Sequence, residues 1–223
     1  MKVSKDTLHI LKSFSSINPV IYLGDDKAVT VISPSKDNIG VFQAPEVFDH
    51  TCVFWEWPTL LSTIDSMGGH EAELSFEEKF LKILSPDKSS IKYFYTPEIV
   101  VAQSNPRPKP FASYCKEHDI DFEVEVSAEV LAKMTKISRI MNLSKIEITM
   151  EDGKGFMRAA DDSGKVSHDF HQEVEGKGTG KISLYLSSMN LIPGSYLIHV
   201  KNGVFSKWTN KDIPLFYIIA AKK

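Results

Sequence analysis

Two segments of the chain carry the same amphipathic pattern, and the longer one is residues 127–142. At about 100° per residue, its apolar side chains share one side of a helix. These side chains are Val130, Leu131, Met134, Ile137 and Met141. Lys136 and Arg139 fall on the opposite side, with Lys133 on the flank. The pattern predicts one helix with an apolar face and a basic face.

The second segment, residues 4–17, has the same design. Its apolar face carries Leu8, Leu11 and Phe14, with Ile10 and Ile17 at the edge. Lys5 and Lys12 point the other way. Ser4 and Ser127 are both N-cap candidates, and an acid follows each in the first turn. Two helices of one design, half a chain apart, indicate a duplicated domain.

Between and after these helices, alternating positions and short apolar runs predict strands. The predicted strands are residues 19–24, 27–33, 38–43, 51–55, 71–76, 79–84, 90–95, 119–126, 145–151, 155–160, 165–175, 181–186, 195–201, 204–208 and 214–221. Proline and glycine signals bound two short helices, at residues 58–67 and 187–192. Each half therefore reads as helix, strands, short helix and strands, which predicts an α+β fold with two similar domains.

A proline-rich segment separates the two halves. Pro106, Pro108 and Pro110 lie close together in it. Proline removes backbone donors and favours extended conformations in the residue before it. We predict an extended inter-domain connector over residues 103–112, with an ordinary surface loop as the alternative. This prediction gives an N-terminal domain of residues 1–108 and a C-terminal domain of residues 109–223.

Length and charge limit the class of protein. The 223 residues suffice for two ordinary domains or one large β-rich domain. The formal net charge is −3, whereas most nucleic-acid binders carry an overall excess of basic residues. Any DNA-binding charge must therefore be concentrated on one surface, and the two long helices carry surplus lysine and arginine. Cys52 and Cys115 form no C-x-x-C motif and are expected to be reduced residues of an intracellular protein.

Two motifs suggest chemistry but fit it poorly. The run GKGTGK at residues 176–181 lacks the first glycine and the Ser/Thr of a Walker motif, so a hairpin turn is predicted. His168 and His171 would fall on opposite faces of a strand, which is unfavourable for a shared metal. No Ser-His-Asp or Cys-His arrangement is evident. The sequence therefore predicts a protein that is not an enzyme and has no cofactor or metal site.

The N-terminal run MKVSKDTLHILKSFSSIN resembles the start of the sliding clamps, or DNA polymerase processivity factors, of T-even-type bacteriophages. The run KMTKISRIM at residues 133–141 resembles the second-domain helix of that family. PGSYL at 193–197 and PLFYIIAA at 214–221 also fit, so the resemblance covers nearly the whole length. It implies a DNA-clamp fold with two similar domains per subunit, helices lining a central hole and β-sheets on the outside.

The resemblance also implies a function without catalysis. Clamps of this family are homotrimeric rings around duplex DNA that hold the replicative DNA polymerase at its template by effective concentration. The implied partners are duplex DNA bound independently of sequence, the polymerase, an ATP-dependent clamp loader and viral late-transcription factors. The resemblance also implies that no membrane is involved and that the site of action is the cytoplasm of the infected bacterial host. The alternatives are a β-rich viral structural or scaffold protein and an enzyme with its site in the connector cleft.

By position, the resemblance assigns DNA-facing roles to Lys5, Lys12, Lys133, Lys136 and Arg139. The short helices depart from a basic lining, because residues 58–67 contain Asp65 and no cation, and residues 187–192 contain no charge. The resemblance further implies an apolar pocket for partner tails, formed by Ile32, Ile39, Pro110, Phe111, Tyr217 and Ile219. Residues 79–84 and 170–175 are expected to be the edge strands that join subunits head to tail.

Overall fold

The computed structural model describes residues 1–24, 28–48, 50–102, 105, 107–114, 119–151, 153–161 and 168–222. The chain forms two compact units. Unit 1 is residues 1–36 with 40–116, and unit 2 is residues 37–39 with 117–223. The boundary between the units lies after residue 116, beyond the connector. The sequence analysis placed it earlier, after residue 108. The connector belongs with unit 1 because Asn105 accepts hydrogen bonds there from the Asn18 amide, at 2.8 Å, and from the Tyr22 hydroxyl. Cys115 lies outside the described residues.

Unit 1 begins with the predicted helix, α1 (Lys5–Ser15). The Ser4 hydroxyl accepts from the Thr7 N–H at 3.2 Å and caps the helix, as its position predicted. The short second helix, α2 (Trp57–Ser66), is also present, with a proline in its first turn. A four-residue helix, α3 (Glu98–Val101), and two 3-10 turns (Gly69–Glu71 and Phe111–Ser113) complete the helical segments.

The strands of unit 1 form two antiparallel arrangements. The strands are β1 (Ile21–Leu23), β2 (Ala28–Ile32), β3 (Asn38–Gln43), β4 (Cys52–Phe54), β5 (Glu73–Phe76), β6 (Phe80–Leu84) and β7 (Ser90–Phe94). The first arrangement has the order β3-β2-β1-β4, and the second is the three-stranded sheet β5-β6-β7. The first two residues of β3 are counted with unit 2.

The first expected edge strand is wrong. Residues 79–84 contain β6 (Phe80–Leu84), which lies in the middle of its sheet. Leu81 pairs with Phe76 of β5 on one side and with Tyr93 of β7 on the other. Among the described residues, the edges of this sheet are β5 and β7. Both sides of β6 are therefore already hydrogen-bonded within the subunit.

Among its described residues, unit 2 contains the second long helix, α4 (Ala128–Ile140), and eight strands. The Ser127 hydroxyl accepts from the Val130 N–H at 3.3 Å and caps α4. The strands follow the order β12-β9-β10-β11-β8-β13-β14-β15. Their bounds are β8 (Phe122–Val126), β9 (Lys145–Glu151), β10 (Lys154–Ala160), β11 (Asp169–Gly178), β12 (Gly180–Tyr185), β13 (Tyr196–Lys201), β14 (Phe205–Asn210) and β15 (Leu215–Ala220).

The second expected edge strand is paired on only one side over most of its length. Residues 170–175 lie in β11, where β10 pairs with residues 169–175 but β8 pairs only with residues 175–178. Residues 170–174 therefore keep one unpaired edge among the described strands, while the last strand of the order is β12, which pairs with β9. The predicted hairpin turn at 176–181 is absent, because β11 continues to Gly178 and pairs with a different strand from β12.

The second short helix of the prediction is not a helix. Residues 187–192 contain only the end of a 3-10 turn (Leu186–Ser188), closed by the Met189 N–H donating to the Leu186 carbonyl at 3.1 Å. So short a segment gains few helical hydrogen bonds for the residues it orders. Its Ser188 is instead buried and donates to the Asp37 carboxylate at 2.7 Å.

Aromatic side chains form the centre of unit 2. Tyr196 and Trp208 make an edge-to-face contact with ring centroids 6.1 Å apart. The Trp208 indole N–H donates to the Ser206 hydroxyl at 2.8 Å, and the Tyr196 hydroxyl donates to the Ile192 carbonyl at 2.6 Å. Their polar atoms are therefore satisfied inside the core, as buried Tyr and Trp require.

Candidate functional site

The exposed face of α1 carries the two lysines that the sequence placed there. Leu8, Leu11 and Phe14 are buried, whereas Lys5 and Lys12 are exposed on the other side. The prediction of an apolar anchor opposite a basic face is confirmed for this helix. The cations are thus presented by a helix whose position is set by its buried side.

The start of α1 is held by a carboxylate that the sequence gave no reason to expect. Glu46 accepts from the Ser4 N–H at 2.6 Å and from the Thr7 hydroxyl at 2.7 Å. Burial raises the pKa of the Glu46 carboxyl, but the hydrogen bonds from Ser4 and Thr7 outweigh it and lower the pKa overall. No local pattern links Glu46 to α1, because the two meet only through the fold.

Lys12 is not a free cation in this structure. Its ammonium lies 2.6 Å from the Asp65 carboxylate of α2, and both side chains are 45% exposed. Lys5, in contrast, makes no ion pair with any residue that the structure describes. The sequence identified Asp65 as a departure from a basic lining, but it could not show which cation Asp65 faces.

The exposed face of α4 carries three cations. Leu131 and Met134 are buried, and Lys133, Lys136 and Arg139 are exposed. The Lys133 ammonium lies 5.6 Å from the centre of the Phe170 ring, within the range of a cation–π contact. Within the described part of the chain, Lys136 and Arg139 form no ion pair. Both helices therefore present cations without a fixed geometry for reading bases, which suits contacts to phosphates.

Unit 1 also contains a groove beside the connector. It has a volume of about 540 Å³ and combines apolar, hydroxyl and basic side chains. Its lining residues are Tyr22, Leu23, Gly24, Ala28, Thr30, Arg107, Pro108, Lys109 and Pro110. A narrower adjoining groove includes Ile32 and Pro108. Pro110 is exposed and Phe111 half-buried. Of the expected pocket residues, Pro110 lines the first groove and Ile32 the second, and Phe111 follows Pro110 in the chain but lines neither groove.

The remaining expected pocket residues belong to unit 2. Ile39 is half-buried. Tyr217 and Ile219 are completely buried, with no exposed surface, so they cannot line an open pocket and their assignment is corrected. The alternation of β15 exposes the opposite face instead, where Phe216 and Ile218 are half-buried. The spacing of Tyr217 and Ile219 correctly predicted that they share one face of the strand. It could not show which face of the strand is buried.

Among the described residues, no group of three or more His, Cys, Asp or Glu side chains is placed to hold a metal ion. His171 lies 3.0 Å from the Asp169 carboxylate, which accounts for one histidine of the HDFH run. In the same part of the chain, no helix has the length and apolar character needed to cross a membrane.

In fold, the chain matches solved DNA clamps over nearly its whole length. The A. fulgidus PCNA solved with the C-terminal region of FEN-1 gives a TM-score of 0.70 at 12% identity, covering 97% of this chain and 94% of that one. A putative DNA polymerase III beta subunit from Eubacterium rectale gives 0.67 at 10% identity, covering 97% and 64%. The chain therefore has the α+β DNA-clamp fold, as predicted.

In sequence, the chain is similar to phage proteins of this class, although no family model matches it. It is 26% identical to the sliding clamp of Enterobacteria phage T4 over 203 residues, which cover 88% of this chain and 85% of that protein. It is 26% identical to the sliding clamp of Escherichia phage RB69, covering 89% and 86%. The resemblance to sliding clamps of T-even-type phages that the N-terminal run predicted is confirmed.

Proposed function

We propose that this protein is a sliding clamp that encircles duplex DNA as a homotrimeric ring and tethers the replicative DNA polymerase for processive synthesis. One observation carries the proposal beyond the similarity in sequence and fold. Each unit presents one long helix, α1 or α4, that is anchored by buried apolar residues and exposes cations on the other side. Such a repeated arrangement supplies phosphate contacts without chemistry or base recognition.

In this proposal, the DNA-facing residues are Lys5, Lys12, Lys133, Lys136 and Arg139. Their contacts would be sequence-independent and individually weak, so that the ring slides rather than binds at one place. The net charge of −3 fits this arrangement. If the cations are confined to one surface, the rest of the protein surface does not attract DNA. No catalytic residue is required, since the ring acts as a topological tether.

Ring formation would use β7 of unit 1 and the expected strand of unit 2. On β7, Ile91 and Phe94 are exposed, with 65% of Phe94 accessible. On β11, residues 169–174 pair with β10 alone, because β8 pairs only with residues 175–178. The edge of β12 is less open, since the Lys181 N–H donates to the Asn202 side chain at 3.0 Å and the Ser183 carbonyl accepts from the Lys222 N–H at 2.7 Å. An unlike pair of edges, β7 of one subunit and β11 of the next, gives a head-to-tail interface that can close into a ring.

Partner tails would dock at the groove of unit 1. An apolar tail of the polymerase would contact Pro110, Ile32 and Phe111, and Arg107 and Lys109 at the groove favour a tail that also carries acidic residues. Ile39 is not assigned to this groove, because it is counted with unit 2. The clamp loader and viral late-transcription factors are further proposed partners, and the host cytoplasm is the proposed site of action.

Solution mass tests the assembly, and primer extension tests the activity. Light scattering over a dilution series should show trimers that give way to monomers. On a primed circular template, the protein with its cognate loader and polymerase should lengthen the products made per binding event. A monomer at every concentration, or a large open assembly with no effect on product length, would reject the clamp and favour a viral structural protein.

A further inference from the structure

The five proposed DNA-facing cations differ in one respect that the resemblance did not anticipate. Lys12 is paired with Asp65 at 2.6 Å, whereas Lys5, Lys136 and Arg139 form no ion pair with described residues. Lys12 is also in the last turn of α1, close to the negative end of the helix dipole. The ammonium of Lys12 is therefore the most strongly compensated charge on the α1 face.

The fold holds Asp65 next to Lys12 through the contact between α1 and α2. The buried Trp57 indole N–H donates to the Leu11 carbonyl at 3.1 Å, one residue before Lys12. At the other end of α2, Ile64 is buried immediately before Asp65. Because both neighbours are anchored, the two helices keep the carboxylate and the ammonium within reach of each other.

Asp65 is the single charge of α2, whose sequence is WPTLLSTIDS. The other exposed polar side chains of the helix are neutral, and its two exposed serines bond to the helix's own backbone. The Ser62 and Ser66 hydroxyls each donate at 2.9 Å to a carbonyl one turn earlier. The exposed face of α2 therefore adds nothing to the electrostatics of the α1 face except one carboxylate beside one lysine.

Unit 2 lacks a described equivalent of this pair. The segment that the sequence predicted as its short helix is a 3-10 turn (Leu186–Ser188) without an acidic residue. Lys136 and Arg139 of α4 have no carboxylate within ion-pair distance in the described part of the chain. The counter-ion is thus specific to α1 and is not a general feature of both halves.

We propose that Asp65 is an internal counter-ion of Lys12 that weakens the hold of the α1 face on DNA. This inference rests on the proposed function. An exposed ion pair contributes little to stability, so a DNA phosphate can displace Asp65 from Lys12 at small cost. The released carboxylate then lies within a Debye length of that phosphate, about 8–10 Å at moderate salt, and opposes it. Asp65 would therefore tune the clamp towards sliding.

Four forms of the full chain test this role: wild type, D65N, K12Q and the double variant K12Q/D65N. Their affinity for a fluorescein-labelled blunt duplex would be measured by anisotropy over a series of NaCl concentrations. D65N should bind several-fold more tightly than wild type at low salt. For D65N, the slope of log K against log salt concentration should be steeper by up to about 0.9, the value for one added phosphate contact. In the K12Q background, D65N should have little further effect.

A matched control removes the same charge from another exposed ion pair of unit 1. Glu71 lies 3.4 Å from Lys2, and E71Q changes the net charge as D65N does without altering Lys12. E71Q should bind as wild type. A D65N gain that persists in K12Q, or an equal gain in E71Q, would show a general charge effect and overturn the specific pairing.

The outcomes also separate this inference from the proposed function. If D65N binds like wild type while K12Q weakens binding, Asp65 is only a structural partner and the inference fails with the clamp proposal intact. If K12Q and R139Q both leave DNA binding unchanged, the proposed DNA-facing surface fails. Where duplex binding is below detection, the diffusion coefficient of loaded clamps on stretched DNA replaces it, and D65N should diffuse more slowly at low salt.

Discussion

The indole N–H of Trp57 donates a hydrogen bond to the main-chain carbonyl of Leu11, 3.1 Å away, and both residues are buried. This bond joins α2 to α1 at a site closed to water. Leu11 belongs to the buried side of α1 and Lys12 follows it on the exposed side. Trp57 therefore contributes to the placement of a proposed DNA-facing residue although it is itself inaccessible to DNA.

Replacing Trp57 with Phe removes the donor and part of the ring volume. We expect the free energy of unfolding to fall by about 1 to 2 kcal/mol, because a buried hydrogen bond is lost and its carbonyl is left in place. Urea denaturation at constant protein concentration measures the change. Trp55→Phe is the control, since Trp55 is exposed and its substitution should change stability little. Equal stability of W57F and wild type would show that the bond has no energetic role.

Reversing Lys12 and Arg139 to Glu tests the proposed DNA-facing surface. Both side chains are exposed, so the trimer mass should not change and each substitution should alter the free energy of unfolding by only about 0.5 kcal/mol, with K12E at the upper end because it faces the Asp65 carboxylate. Loading onto DNA and processive synthesis should fall, and more so at low salt, where phosphate attraction is least screened. Primer extension with and without the clamp measures the effect.

The matched control for this reversal is K88E/K154E, which makes the same charge change at exposed positions outside both helices. It should support processive synthesis as wild type does. Unfolding of K12E/R139E would mean that the basic faces are packed. A stable K12E/R139E with wild-type activity at every salt concentration would remove these residues from the DNA surface.

Phe94→Glu tests the proposed use of β7 as a subunit interface. Burying a phenylalanine fully contributes about 1.5 to 3 kcal/mol, so the dissociation constant of the trimer should rise about tenfold or more. Analytical ultracentrifugation over a concentration series measures it. Ile99→Glu is the control, because Ile99 of α3 is even more exposed, at 85%. The reverse pattern, with I99E dissociating the trimer and F94E not, would place the interface elsewhere.

Phe111→Ala tests the groove beside the connector as the docking site of a polymerase tail. The half-buried ring should lose apolar contact with the tail, and affinity should fall about tenfold while the trimer stays intact. Calorimetry with a synthetic peptide of the polymerase C-terminus measures the affinity. Val47→Ala, at another exposed apolar position of unit 1, should leave it unchanged. Wild-type affinity of F111A would move the docking site away from the connector.

Glu46→Gln tests the cap on α1 through its pH dependence. The Glu46 pKa is lowered from its usual 4.5, so the stability it adds is present above about pH 4.5 and is lost as pH falls through the lower pKa of the folded protein. E46Q should therefore be less stable than wild type at neutral pH, by about 1 kcal/mol, and the difference should shrink in acid. Urea denaturation of both proteins at neutral and at acidic pH measures the difference in stability. For Glu78→Gln at an exposed site, any difference should be small at either pH.

Local patterns were sufficient to predict the two long helices and their faces. The caps at Ser4 and Ser127, and the apolar spacing from Leu8 to Phe14, act within one or a few helical turns. A helix of this kind has one side that must be buried, and periodicity identifies that side without reference to the rest of the chain. The cations of α1 and α4 were therefore placed correctly on exposed faces from the sequence.

Strand order depends on partners far along the chain. Residues 79–84 and 170–175 both have the composition of strands, but only β6 proved to be paired on both sides along its length, and nothing local shows whether a strand has one neighbour or two. The same limit applies to β15, where alternation gave Tyr217 and Ile219 one face and the core of unit 2 decided that this face is buried. A strand fits either side of a sheet equally well until its neighbours are in place.

What the sequence by itself determined about this protein is its resemblance to phage sliding clamps, its duplicated helices and the exposed cations on them. Only the tertiary structure decided the edges of the sheets, the capping of α1 by Glu46 and the pairing of Lys12 with Asp65. The physical reason is range. Helix faces and caps follow from neighbours along the chain, whereas edges and ion pairs form between residues that meet only when the chain has folded.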